Sequence, residues 1–196
     1  HLSKNEFKDI LHGEMPIIDT RPPEAYAKGF LSRTLNIENN NSFPTWMGWY
    51  MDYDKPFALI AEPDELEDLS RKLMRIGLDN AFGYISPSEL KETSDLSFNN
   101  EAPIDKEEVK EKVVNQNAQI IDVRGASEYK KGHIDGAVNL YVGKLNEKLD
   151  QVSKDRPVIV HCLSGSRSAI AYSLLKSNGF ENVYNYSGGW QDWQQH

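Results

Sequence analysis

The sequence predicts an α/β protein built from two similar halves, each a mainly parallel central sheet flanked by helices. Three observations carry this expectation. Short apolar runs alternate with amphipathic helical patterns, as in βαβ units. The same succession occurs twice, at an offset of about 100 residues. With 196 residues, the chain is long enough for two domains that each bury a core.

The elements repeat in order. LSKNEFKDIL places Ser3 and Glu6 in capping-box positions, and IDKEEVKEKV places Asp105 and Glu108 in the same way, so each opens an amphipathic helix. PIIDTRPPEAYAKGF from Pro16 then matches QIIDVRGASEYKKGH from Gln119, with Ile-Ile-Asp, the Arg, the Tyr and Lys-Gly kept, and Asn36 aligns with Asn139. KPFALIA and RPVIVHC follow as short apolar runs after a proline, the signature of buried strands. Leu66, Leu69 and Leu73 space the next helix in one half, and Ile170, Leu174 and Leu175 space it in the other, with Gly77 and Gly179 as stops. LDNAFGYIS and FENVYNYSG each turn into a last strand. The stretch from Ser86 to Asp105 lacks a period and reads as a linker with a short helix around Glu89 to Glu92, which places the domains at residues 1–98 and 99–196.

Composition excludes several classes. The chain carries 22 Lys and Arg against 30 Asp and Glu, a net charge of -8, with both signs dispersed, so no nucleic-acid partner is expected. No apolar run approaches the roughly 20 residues of a membrane span, so no membrane partner is expected either. The single cysteine rules out an intrachain disulfide framework, and the scattered histidines give no metal-ligand spacing, so no metal and no cofactor are expected. A reducing cytoplasm is the expected compartment.

That cysteine, Cys162, stands where an apolar strand turns through Leu163, Ser164, Gly165 and Ser166 into a helix. The carboxyl end of a sheet is where open α/β folds bind ligands. Glycine and small residues let successive N–H groups face inward, and the helix start adds a positive dipole end, so the loop favours an anion. A thiol with a pKa of about 8.5 is roughly 3% thiolate at pH 7, whereas a depression of two units makes it roughly 75%. Arg167 either holds an anionic sulfur donor or makes a structural ion pair, and Ser164, Ser166 and Ser168 either donate hydroxyls or cap the helix. His133 and His161 are expected to be structural.

Asp122-Val123-Arg124, Glu128-Tyr129, Gly132-His133-Ile134, Gly136-Ala137, Asn139, Cys162 in CLSGSRS and the closing GGW at Gly188 to Trp190 resemble the rhodanese (sulfurtransferase) domain. The resemblance covers essentially the whole second half. It implies a Cys162 persulfide intermediate, loaded by thiosulfate or a low-molecular-weight persulfide and discharged to a thiol or cyanide, with the loop N–H groups stabilising the terminal sulfur. It also implies a mostly architectural motif at Asp122 and Arg124. The fold class it implies is two rhodanese-like domains.

The first half carries AEPDELED where the second carries the cysteine loop, with Ala61 at the cysteine position. Pro63 deletes an N–H, and Glu62, Asp64 and Glu65 bring negative charge, so residues 1–98 read as an inactive rhodanese-homology domain. The aromatic segment FPTWMGWYMDYDKPF from Phe43 is expected to cover its own sheet or to form an interface. Together with RPPEAYAKGF, it resembles proteins in which a metallo-β-lactamase-fold persulfide dioxygenase precedes an inactive and an active rhodanese domain. That resemblance implies an upstream domain contacting the first half, and the chain begins at His1 rather than methionine. Expected partners are a small-molecule sulfur donor and a thiol acceptor.

Two other readings compete. Tyrosine-type cysteine phosphatases place five residues between Cys and Arg, whereas four separate Cys162 from Arg167, shortening the loop by roughly 3.5 Å. A partner-binding module without chemistry explains the first half, but does not require the loop of the second.

Overall fold

The computed structural model describes residues 1–93, 95–100 and 102–195, and the chain divides into two compact units after Asn100. Ser94 and Glu101, within the expected linker, lie outside the described residues.

The first unit runs α1 (Lys4–His12), β1 (Ile17–Asp19), α2 (Pro23–Ala27), β2 (Thr34–Asn36), α3 (Phe43–Tyr50), β3 (Phe57–Ile60), a 3-10 turn (Pro63–Glu65), α4 (Leu66–Arg75), β4 (Ala81–Ile85) and α5 (Pro87–Lys91). Its four strands are parallel, in the order β2-β1-β3-β4. The second unit runs α6 (Lys106–Gln116), β5 (Gln119–Asp122), α7 (Ala126–Lys131), β6 (Val138–Asn139), a 3-10 stretch (Val142–Gln151), β7 (Val158–His161), α8 (Ser166–Ser177), β8 (Val183–Tyr186) and α9 (Gly189–Trp193). Its strands are also parallel, in the order β6-β5-β7-β8.

Local chemistry explains the starts of several elements. Ser3 Oγ accepts the Glu6 N–H while Glu6 accepts the Ser3 N–H, and Asp105 and Glu108 make the same reciprocal pair, each N-cap contributing about 1 kcal/mol. Strands β1, β3, β5 and β7 are buried along their whole length, as parallel strands covered on both faces must be. From Ser168 to Leu175, α8 is buried throughout. A helix enclosed in this way starts its first turn inside the domain, beside the end of β7.

The expected linker is structured at its start. Ser86 and Glu89 form a third capping box, opening α5, and Leu90 joins a buried cluster with Phe7, Ile10 and Ile85. Ser86 to Lys91 lies in the first unit, and the short helix expected around Glu89 to Glu92 runs over Pro87–Lys91, anchored by buried Pro87 and Leu90. In the aromatic segment, Phe43, Met47 and Met51 point into the core, whereas Trp49 and Tyr53 are exposed.

The strand order decides where chemistry can sit. From β5 the chain crosses to one side to reach β6, and from β7 it crosses to the other to reach β8, so the loops leaving β5 and β7 part at the carboxyl edge. Asp122 pairs in register with His161 across that point. A crevice at such a switch point is where parallel sheets bind ligands, and Cys162 is the next residue.

Candidate active site

The Cys162 side chain sits at the bottom of the loop, with the residue only 2% exposed, and Sγ accepts the Gly165 N–H at 3.2 Å. Gly165 makes this possible: at φ 105 it adopts a conformation side chains rarely take, and a Cβ there would lie 3.1 Å from the Ser187 carbonyl oxygen. The N–H groups of Ser166 and Arg167, in the first turn of α8, have no intrahelical acceptors. The dipole end of the helix therefore lies next to the sulfur. Leu163, Ser164 and Ser166 are exposed at the mouth.

The closing GGW segment holds the loop from behind. Trp190 N–H donates to the Cys162 carbonyl at 2.8 Å and Gln191 N–H to the Leu163 carbonyl at 3.0 Å. Gly189, at φ 59, permits this approach, since a Cβ there would lie 2.5 Å from the Cys162 oxygen. Gly189→Ala is therefore expected to displace the loop, costing about 1–2 kcal/mol in backbone strain alone, with a larger fractional loss in Cys162 reactivity than in folded protein. Alkylation rates beside urea unfolding check this, and an unchanged rate would show that the clamp is dispensable.

Asp122 and Arg124 form a buried ion pair, with Arg124 Nη2 at 2.6 Å and Nε at 3.0 Å from the carboxylate oxygens. Arg124 also donates to the Gly132 carbonyl at 2.7 Å and lies 5.2 Å over the Trp190 ring. Asn139 Nδ2 donates to the carbonyls of Asp122 and Arg124. These contacts tie the end of β5 to the segment that clamps the cysteine loop, and none reaches the sulfur.

Arg167 is not free. Its Nη1 and Nη2 donate to the two Glu128 oxygens at 2.6 and 2.9 Å, and Glu128 also accepts the Gly125 N–H at 3.1 Å. The guanidinium holds the Glu128 carboxyl below its ordinary range, and Glu128 in turn raises Arg167. Of the two alternatives for this arginine, the ion pair is present, and Glu128 is a site residue that sequence reasoning passed over. Its signal was its place in the Glu128-Tyr129 pair of the family motif, but its partner lies 39 residues away. Ser168 turns inward, its hydroxyl donating to the Gly165 carbonyl, so it braces the turn instead of lining the mouth.

The histidines are structural in placement. His133 Nδ1 contacts the Tyr129 carbonyl at 2.9 Å and its ring stacks on Tyr129. His161 is fully buried, and its Nδ1, facing the Cys162 carbonyl at 3.2 Å, must be the protonated nitrogen. Its Nε2 has no hydrogen-bond partner and lies 3.8 Å from Asp122 Oδ2. Burial pushes the imidazole below its ordinary value, against the pull of the Asp122 carboxylate. The unfolded chain then binds a proton more readily, so the stabilising contribution is full above about pH 6.5 and is lost as pH falls towards the lower folded value. Urea midpoints from about pH 8 to pH 5 are expected to drop on the acid side in the wild type and to drop less in His161→Asn.

In the first unit, Asp19 and Arg21 make the same ion pair, Arg21 donates to the Gly29 carbonyl and Asn36 bridges the carbonyls of Asp19 and Arg21. Ala61 follows β3 fully buried, and the chain continues through exposed Glu62 into the Pro63 turn. The frame is there without the thiol. Among the described residues of the chain, no group of three or more His, Cys, Asp or Glu side chains is placed to hold a metal, and no helix is long and apolar enough to cross a membrane.

A single thiol that accepts a backbone N–H from a Gly-containing turn, at the switch point of a parallel sheet and the start of a helix, defines a domain with a cysteine loop at its carboxyl edge. Residues 105–196 match the family model of the rhodanese-like domain, and the chain belongs to that family. It is 38% identical over 80 residues to the thiosulfate sulfurtransferase GlpE of Shewanella oneidensis, covering 41% of this chain and 79% of the relative. It is also 38% identical over 76 residues to YqhL of Bacillus subtilis, covering 39% of this chain and 60% of that protein's length. Among solved structures, a rhodanese-like domain protein from Staphylococcus aureus is 28% identical, with a TM-score of 0.45 and coverage of 48% of this chain and 92% of that one.

Proposed function

We propose that the second unit is a sulfurtransferase that carries sulfane sulfur as a Cys162 persulfide. The observation that supports this best is the loop itself: Sγ at the carboxyl end of β7, with the Gly165 N–H on it and the start of α8 behind it. In the first half-reaction the Cys162 thiolate attacks the outer sulfur of thiosulfate. The new S–S bond forms as the old one breaks, leaving Cys162-S-S⁻ and sulfite. With an organic persulfide RSSH, the same attack leaves Cys162-S-SH and RS⁻. In the second half-reaction a thiolate or cyanide attacks the terminal sulfur and returns the Cys162 thiolate. The N–H groups of the loop match the charge on that terminal sulfur, and they are fixed before reaction, so little reorganisation is needed.

The first unit is read as a non-catalytic rhodanese-like domain, a reading supported by Ala61 at the cysteine position on an otherwise matching frame. The relatives named as thiosulfate sulfurtransferases support the family-level activity. The test is incubation with thiosulfate and cyanide, following thiocyanate, together with the intact mass after thiosulfate alone. Steady thiocyanate formation and one added sulfur atom per chain are expected. Absence of both, together with no sulfur taken up from cysteine persulfide, would overturn the proposal.

A further inference from the structure

We infer that Glu128 is a positioning residue that sets the class of sulfur donor: by holding and neutralising Arg167 it disfavours dianionic thiosulfate and favours a singly charged or neutral organic persulfide. This rests on the sulfurtransferase reading of Cys162.

Both guanidiniums near the loop are matched one to one by carboxylates, Arg124 by Asp122 and Arg167 by Glu128. The Arg167–Glu128 pair is two-pronged and partly buried, its side chains 21% and 37% exposed, and Glu128 is anchored by the Gly125 N–H at the start of α7. It is therefore more rigid than a mobile surface pair. Arg167 stands in the first turn of α8, two residues past Gly165, whose N–H is on Sγ, so the charge matched by Glu128 belongs to the same loop end that receives the donor. The backbone cradle and the helix end, worth roughly half an elementary charge, meet an incoming anion at the sulfur. That suits one sulfur atom and falls short of a dianion. The residue beside the thiol on the rim, Leu163, is apolar and 40% exposed, a surface for the carbon of an organic donor.

The attacks to be compared are the two written above, in which Cys162-S⁻ displaces either sulfite or RS⁻. The measurement is the second-order rate constant for sulfur uptake on Cys162, read by intact mass after rapid quenching, with thiosulfate and with cysteine persulfide. The proteins are wild type, Glu128→Gln, Glu128→Asp and, as a control for bulk charge at an exposed acid, Glu181→Gln. Wild type is expected to prefer the persulfide. Glu128→Gln keeps an acceptor for the Gly125 N–H, and is expected to raise the thiosulfate rate about tenfold and the persulfide rate no more than about threefold at low ionic strength. The gain should shrink as salt rises. Glu128→Asp should restore the wild-type preference, and Glu181→Gln should leave it in place. A donor ratio unmoved by Glu128→Gln, or equally moved by Glu181→Gln, would overturn this inference alone. A wild-type protein that takes sulfur from neither donor would overturn the sulfurtransferase reading instead.

Discussion

Cys162→Ser is expected to lower thiosulfate:cyanide sulfur transfer by at least about 10⁴-fold, a loss of the size seen when a covalent nucleophile is removed. A serine hydroxyl is not ionised near neutral pH, and it has no persulfide chemistry, so neither half-reaction has a route. The fold should tolerate the change. The group on Sγ is the Gly165 N–H, and a serine oxygen also accepts a hydrogen bond. Thiocyanate formation, intact mass and urea unfolding of the same preparation separate the two effects. Turnover at wild-type level in a folded Cys162→Ser protein would mean that sulfur moves without the thiol.

Asp122→Ala is expected to cost about 3–5 kcal/mol, because it leaves the Arg124 guanidinium buried without its counter-charge. For a unit of this size that corresponds to a fall of roughly 15–30 °C in unfolding temperature. Activity should fall with it, since Arg124 also reaches Gly132 and the Trp190 ring behind the cysteine loop. Replacing Arg124 with Met in the same chain should recover part of the stability, because a buried pair removed as a whole costs less than one broken in half. Calorimetry of the two single variants and the double variant gives the coupling. A small, additive effect would show that the pair is solvated, contrary to its burial.

The repeat made much of the architecture legible before any coordinates. Capping boxes at Ser3 and Asp105, the apolar runs FALI and VIVH, and the glycines at 77 and 179 are local signals with local causes, and the corresponding elements follow them. The cysteine loop was legible for the same reason: strand, Gly-containing turn and helix are contiguous. The 3-10 stretch Val142–Gln151 was not anticipated, although Val142 and Leu145 are buried, because such a stretch has no sustained period. The short helix expected around Glu89 to Glu92 starts two residues earlier, at Pro87, because the Ser86–Glu89 capping box and the burial of Pro87 and Leu90 fix its start.

Residue order by itself determined the nucleophile candidate, the absence of one at Ala61, and the alternation that makes a parallel sheet. Each is a property of adjacent residues, where backbone sterics and capping act over a few positions. Only the tertiary structure decided that β5 and β7 are neighbours, which places Cys162 at the switch point, and that Gly189 and Trp190 clamp its carbonyl. It also formed the ion pair open to Arg167, by bringing Glu128 across from α7. An arginine carries the same charge whatever it meets, so its availability depends on which carboxylate folding places within reach, and that partner has no signature in the residues around it.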